Sequence, residues 1–192
     1  MARPRYEDDV PTARERIEDA FWELLEEMPY DEITLAAITR KANVNHNTLY
    51  YHFAGIDDLV MQLVEDNLVA ELPLRVMNGS FGAKEAEVAM KGDPDLRRRF
   101  HRICLMVSPN SPSWLVRHVR DSVMGLWLQS AGISSMDDLT KNEQMRLSFI
   151  MNGILGLLGE YGSNGDLSAF SNFVKGEMGT AMMKEIRMLA LR

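Results

Sequence analysis

Residues 34–53 read TLAAITRKANVNHNTLYYHF, and this stretch decides the fold: it is two short helices set across a tight turn. Thr34 is placed to cap the first, because its side-chain oxygen can accept from an unpaired N–H of the opening helical turn. Leu35, Ile38 and Ala42 recur at spacings of three and four and give that helix one apolar face. Asn43 falls where the chain must turn, and asparagine enters the left-handed backbone region more readily than any residue but glycine. Val44 can plug the turn into a core, and Asn45 is positioned to cap the second helix. Leu49 and Phe53, four apart, point inward and leave His46, Asn47, Thr48, Tyr51 and His52 to face outward. A short helix that displays donors, acceptors and aromatic rings, braced at a fixed angle by another, suits the major groove of DNA.

The stretch resembles the DNA-binding signature of TetR-type transcriptional regulators. Ala42, Val44, Thr48, Leu49, Tyr50, Tyr51, His52 and Phe53 carry the resemblance, followed by the acidic pair Asp57 and Asp58 and by Leu59. It covers about the first sixty residues, beyond which only length and helical character match. The resemblance implies an all-α homodimer of two domains. Residues 1–58 would form a three-helix helix-turn-helix domain, and residues 59–192 a helical ligand-binding and dimerisation domain. Its implied role is a ligand-responsive regulator, a repressor released from its DNA operator by a small apolar effector. The candidates for base and groove contacts are His46, Asn47, Thr48, Tyr51 and His52, with Asn45 at the helix start. Thr34, Arg40, Lys41 and Tyr50 are the candidates for phosphate contacts, which set register without reading sequence. The family commonly carries lysines just after the TLYYHF tail. Here those positions hold Ala54 and Ile56, followed by Asp57 and Asp58, so phosphate contacts are expected to be missing.

Charge runs against a DNA-binding reading. Residues 1–58 hold thirteen acids against six bases, which accounts for the whole net charge of −7. A DNA-binding segment is ordinarily basic. Because screening at physiological salt cuts in within about 8–10 Å, the face each charge occupies matters more than the total. Arg3, Arg5, Arg40 and Lys41 can share a face with the recognition helix while the first helix turns its acids to solvent.

The whole chain of 192 residues is 46% hydrophobic and 26% charged, and its remainder reads as helical, with no useful stretch of alternating character. Residues 1–11 read as a charged arm, and 12–28 as a helix with Ile17, Phe21, Leu24 and Met28 inward, stopped by Pro29. Further helices are expected at 56–72, 83–90, 94–107, 113–131, 140–161 and 167–191, with a loop at 162–165. The helix at 140–161 contains Met145, Phe149, Asn152, Leu155 and Leu158. The last contains Phe170, Phe173, Val174, Met178, Met182, Ile186 and Leu189. Gly153, Gly156 and Gly159 cost a helix about 1 kcal/mol each and make sense where another helix approaches closely. With them, residues 140–192 are expected to form the homodimer through a four-helix bundle. The run Arg97-Arg98-Arg99 reads as a solvated face.

The four histidines and the lone Cys104 match no metal-ligand spacing, no HExxH or Walker pattern occurs, and neither an enzyme nor a cofactor is implied. One unpaired cysteine, the absence of an apolar leader and the absence of a membrane-length apolar run point to the cytoplasm. Fourteen methionines are compatible with an ordinary helical core or with an adaptable apolar pocket. Phe100, Met106, Trp114, His118, Trp127 and Phe149 are the candidates for lining such a pocket. Two other readings stay open. One is a small-molecule-binding protein that keeps the helix-turn-helix as scaffold; the other is an α-helical enzyme using the same pocket.

Overall fold

The computed structural model describes residues 11–68, 88, 91–162 and 172–190. The chain divides into two compact units, residues 1–63 and 64–192, and the division falls inside a helix.

In the first unit, helix α1 (Ala13–Glu27) opens on a reciprocal cap. The Thr12 side chain accepts from the Glu15 N–H at 3.2 Å, and the Glu15 carboxylate accepts from the Thr12 N–H at 2.7 Å. Its buried face is Ile17, Phe21 and Leu24, joined by Ala20, Trp22 and Leu25. Met28, expected on that stripe, is instead the extended C-cap and only half-buried, because Pro29 follows and the chain leaves helical geometry there. A single 3₁₀ turn, Tyr30–Glu32, leads to α2 (Leu35–Lys41) and α3 (His46–His52), and α1 packs against both. Ile38, Ala42, Leu49 and Phe53 fill the centre, each buried. Helix α4 (Ile56–Asn67) follows, and its Leu59, Val60 and Leu63 are buried. Its expected extension to residue 72 runs outside the described residues.

In the second unit, α5 (Pro94–Met106) starts at Asp93, whose carboxylate accepts from the N–H groups of Asp95 and Leu96 at 3.0 Å each. After α6 (Ser113–Ser130) and a 3₁₀ turn at Met136–Asp138 comes α7 (Lys141–Leu157), capped reciprocally by Thr140 and Glu143. It widens into one π-helical segment, Leu158–Gly162. Residues 172–175 are helical, a bend falls at Gly176, and α8 (Glu177–Ala190) closes the described chain. No strand occurs among the described residues. All of the helix expected at 83–90 except residue 88, the glycine-rich loop beyond Gly162, and the side chains of Phe170 and Leu189 lie outside them.

Three features of these helices go beyond what residue spacing gives. The inward face of α7 is Leu147, Ile150, Met151 and Leu155, continued by Leu158, whereas Met145 and Phe149 are each 72% exposed and Asn152 is exposed too. Both stripes satisfy helical spacing, and packing against α6 selects one of them. Met178 is likewise exposed, because the bend at Gly176 breaks the phase carried from Phe173 and Val174; Met182 and Ile186 are the buried pair. The glycines, finally, do not act as a set. A Cβ on Gly159 would lie 2.0 Å from the carbonyl oxygen of Val107, so the close approach expected of a second helix is made by the end of α5 within the same unit. Gly156 faces open space, and Gly153 meets only the tip of Met182 at 3.9 Å.

Candidate nucleic-acid interface

The recognition helix α3 is built from short-range bonds. At its entrance Asn43 takes φ +51°, the left-handed geometry a non-glycine turn residue seldom adopts, and Val44 donates its N–H to Thr39 at 3.0 Å. The Asn45 side-chain oxygen accepts from the N–H of Thr48 at 2.8 Å and from its hydroxyl at 3.1 Å, so both side chains are occupied with starting the helix. At the front of α2, Thr34 accepts from the Ala37 N–H at 3.1 Å and remains exposed.

Leu49 and Phe53 anchor α3 inward, and the opposite face is open. His46 and Asn47 are exposed, Tyr50 is 56% exposed and Tyr51 85% exposed. His52 is half-buried, its ring edge-on to Tyr51 at 5.0 Å and tilted against Phe53 at 6.1 Å. The guanidinium of Arg14 on α1 lies 5.3 Å from the centre of the Phe53 ring and is paired to Glu18 at 2.7 Å. Exposed aromatic rings on a short, end-anchored helix lose little freedom on binding and offer both stacking faces and hydroxyl donors to a groove.

The two basic candidates of α2 part company. Arg40 is exposed and has no ion-pair partner among the described residues. Lys41 turns back onto α1, with its ammonium 2.8 Å from Glu27 and 3.2 Å from Glu23. The hydrogen bond to Glu27 above all, with Glu23 adding to it, raises the lysine pKa above its ordinary value. The sequence shows Glu23 and Glu27 four apart but not what they would meet fourteen or more residues later.

Ala54 and Ile56 stand at the start of α4, and the neighbouring acids have structural work. The Ala54 N–H donates to Asp58 at 2.7 Å, and the Tyr30 hydroxyl donates to Asp57. Burial first, and then that bond, push the tyrosine pKa well above its usual range.

Residues 17–63 match the family described as bacterial regulatory proteins, tetR family. Over that span, about a quarter of the chain, the sequence is similar to the DNA-binding domain of the TetR family. The matched span holds all of α2 and α3 and the start of α4. A curated relative, an uncharacterized HTH-type transcriptional regulator named YxbF from Bacillus subtilis (strain 168), is 26% identical over 160 residues, covering 78% of this chain and 39% of that protein. The chain thus spans well under half the relative's length. No solved structure matches.

The second unit arranges the six pocket candidates unevenly. Met106 on α5 and Trp127 on α6 are buried, and the indole N–H of Trp127 has no hydrogen-bond acceptor among the described residues. Phe100, Trp114 and His118 are half-buried on the same two helices. Phe149 does not join them, since it projects to the surface from the outer face of α7. Among the described residues no helix is long and apolar enough to cross a membrane, and no group of three metal-ligating side chains comes together.

Proposed function

We propose that this protein is a homodimeric, ligand-responsive DNA-binding regulator, a repressor released by a small apolar effector, and that it works in the cytoplasm. The observation that carries the DNA-binding reading is the open face of α3. Two tyrosines, a histidine and an asparagine stand out from a helix capped by Asn45 and anchored by Leu49 and Phe53. His46, Asn47 and Tyr51 read base edges in the major groove, while Thr34, Arg40 and Tyr50 hold phosphates. A mobility-shift assay with the DNA flanking its own gene tests this: Tyr51→Ala abolishes the shift, and an intact shift overturns the reading.

Dimerisation through residues 140–192 is supported by the apolar surface that α7 and α8 leave uncovered. Met145, Phe149, Met178 and Met188 are all more than half exposed. The two helices are tied to each other by Arg146 and Glu185 at 2.6 Å, so together they offer one paired face. Two such pairs make a four-helix bundle, and recognition helices about 34–36 Å apart then meet consecutive major grooves.

The effector reading is supported by Trp127. A buried donor left without an acceptor forfeits about 1–3 kcal/mol, which a ligand carrying an acceptor would recover. Trp fluorescence titrated with apolar compounds tests it, and Trp127→Phe, which keeps the ring but loses the N–H, weakens binding of acceptor-bearing compounds alone. The acidic first unit favours a second reading, a ligand-binding protein in which the helix-turn-helix is only scaffold. The mobility-shift assay decides between the two.

A further inference from the structure

We infer that Lys41 is held out of the DNA interface by a carboxylate clamp on α1, and that Glu23 and Glu27 thereby set how weakly the protein grips DNA of any sequence. The inference rests on the DNA-binding reading above. Lys41 lies five residues ahead of His46, in the same last turn of α2 as the exposed Arg40. It is thus in the part of the chain that supplies phosphate contacts. Its ammonium nevertheless points at α1, where carboxylates from two successive turns meet it at 2.8 Å and 3.2 Å.

The exposures show which partner is committed. The lysine side chain is 25% exposed, whereas the Glu27 and Glu23 side chains are 57% and 61% exposed. The cation is therefore folded against the helix, and the acids stand at the rim, facing solvent. To reach a phosphate, Lys41 must leave two carboxylates for one anionic group and strip both acids of their counter-charge. A cation between two anions gains nothing by exchanging them for one. Of the four described bases in the first unit, Arg14 is also paired, to Glu18, so two of four are already engaged within the protein. Phosphate contacts supply nearly all sequence-independent affinity. Withdrawing one per subunit lowers affinity uniformly across sequences and flattens the salt dependence.

The test uses the full-length protein and a short, fluorescently labelled duplex of mixed sequence, read by anisotropy across a salt series. Glu23→Gln with Glu27→Gln keeps the shape of both side chains while discharging the clamp. Lys41 is then free to neutralise one phosphate per subunit, and the slope of log affinity against log salt steepens by about 1.8 for a dimer. The gain over wild type therefore grows about twelvefold on going from 200 to 50 mM salt. Adding Lys41→Gln to that double variant returns the slope to the wild-type value, and Lys41→Gln alone leaves it unchanged. A double variant with the wild-type slope overturns the inference. So does a steep slope that survives in the triple variant, which would reflect bulk charge alone, or a flattened slope in Lys41→Gln, which would mean the lysine already touches DNA. If neither wild type nor any variant binds the duplex even at low salt, the DNA-binding reading itself falls.

Discussion

Gly159 offers the sharpest structural test. It sits in the π-helical segment that continues α7, where a Cβ would lie 2.0 Å from the Val107 carbonyl oxygen, 2.7 Å from its carbon and 3.2 Å from the Ser108 Cα. Every one of these atoms is backbone, so no side chain can swing away. Gly159→Ala must open the junction between the end of α5 and the π segment by more than an ångström. Overpacking a fitted site costs about 1–3 kcal/mol, and the rigid neighbours put this one near the top of that range. Against it stands about 1 kcal/mol regained by replacing glycine with alanine in a helix. The net loss is about 2 kcal/mol, or about 4–8 °C in melting temperature for a chain of this size. Gly125→Ala is the control. It lies in mid-α6 with nothing within 4 Å of a built Cβ, so it raises stability by about 1 kcal/mol. Circular dichroism melts and urea midpoints, with unchanged urea slopes, measure both. A Gly159→Ala protein that melts at or above wild type would refute the packing of α5 on the π segment.

Three further outcomes are expected. Gly156→Arg places a long cation on an uncovered part of α7, seven residues on from Phe149, and yields a monomer in sedimentation at micromolar concentration; a dimer that persists undiminished rules this face out as the interface. Because burial and the bond to Asp57 raise the Tyr30 pKa, the unfolded chain loses that proton first: stability from this group is complete below about pH 10 and falls as pH rises beyond it. Denaturant midpoints measured up the alkaline range show this fall in wild type, and a fall equally steep in Tyr30→Phe would show that Tyr30 is not its source. Ala54→Lys with Ile56→Lys restores two cations per subunit at the start of α4 and steepens the salt slope by up to about 3.6 for a dimer. Ile56 is half-buried, so a melt comes first; a native-like melt with an unchanged slope would mean that this end of α4 does not lie along the DNA backbone.

What the sequence by itself determined lies within one helical turn. The caps at Thr12, Thr34, Asn45 and Thr140, each a side-chain oxygen accepting from an N–H three residues on, are complete in local chemistry. The left-handed turn at Asn43 follows from residue type as well, and so does the inward anchoring of Leu49 and Phe53. The open face of α3 was legible for the same reason: a seven-residue helix with two apolar anchors can point only one way. Where two faces of a helix were equally apolar, spacing could not choose between them. On α7 only packing buried Leu147 and Ile150 and left Met145 and Phe149 outside. Tertiary structure alone also gave Gly159 its neighbour in Val107, bound Lys41 to acids on another helix, and joined Tyr30 to Asp57 across twenty-seven residues. Such pairings depend on where separate helices come to rest, and that is fixed by summed burial over a whole core, which no single stretch of sequence contains.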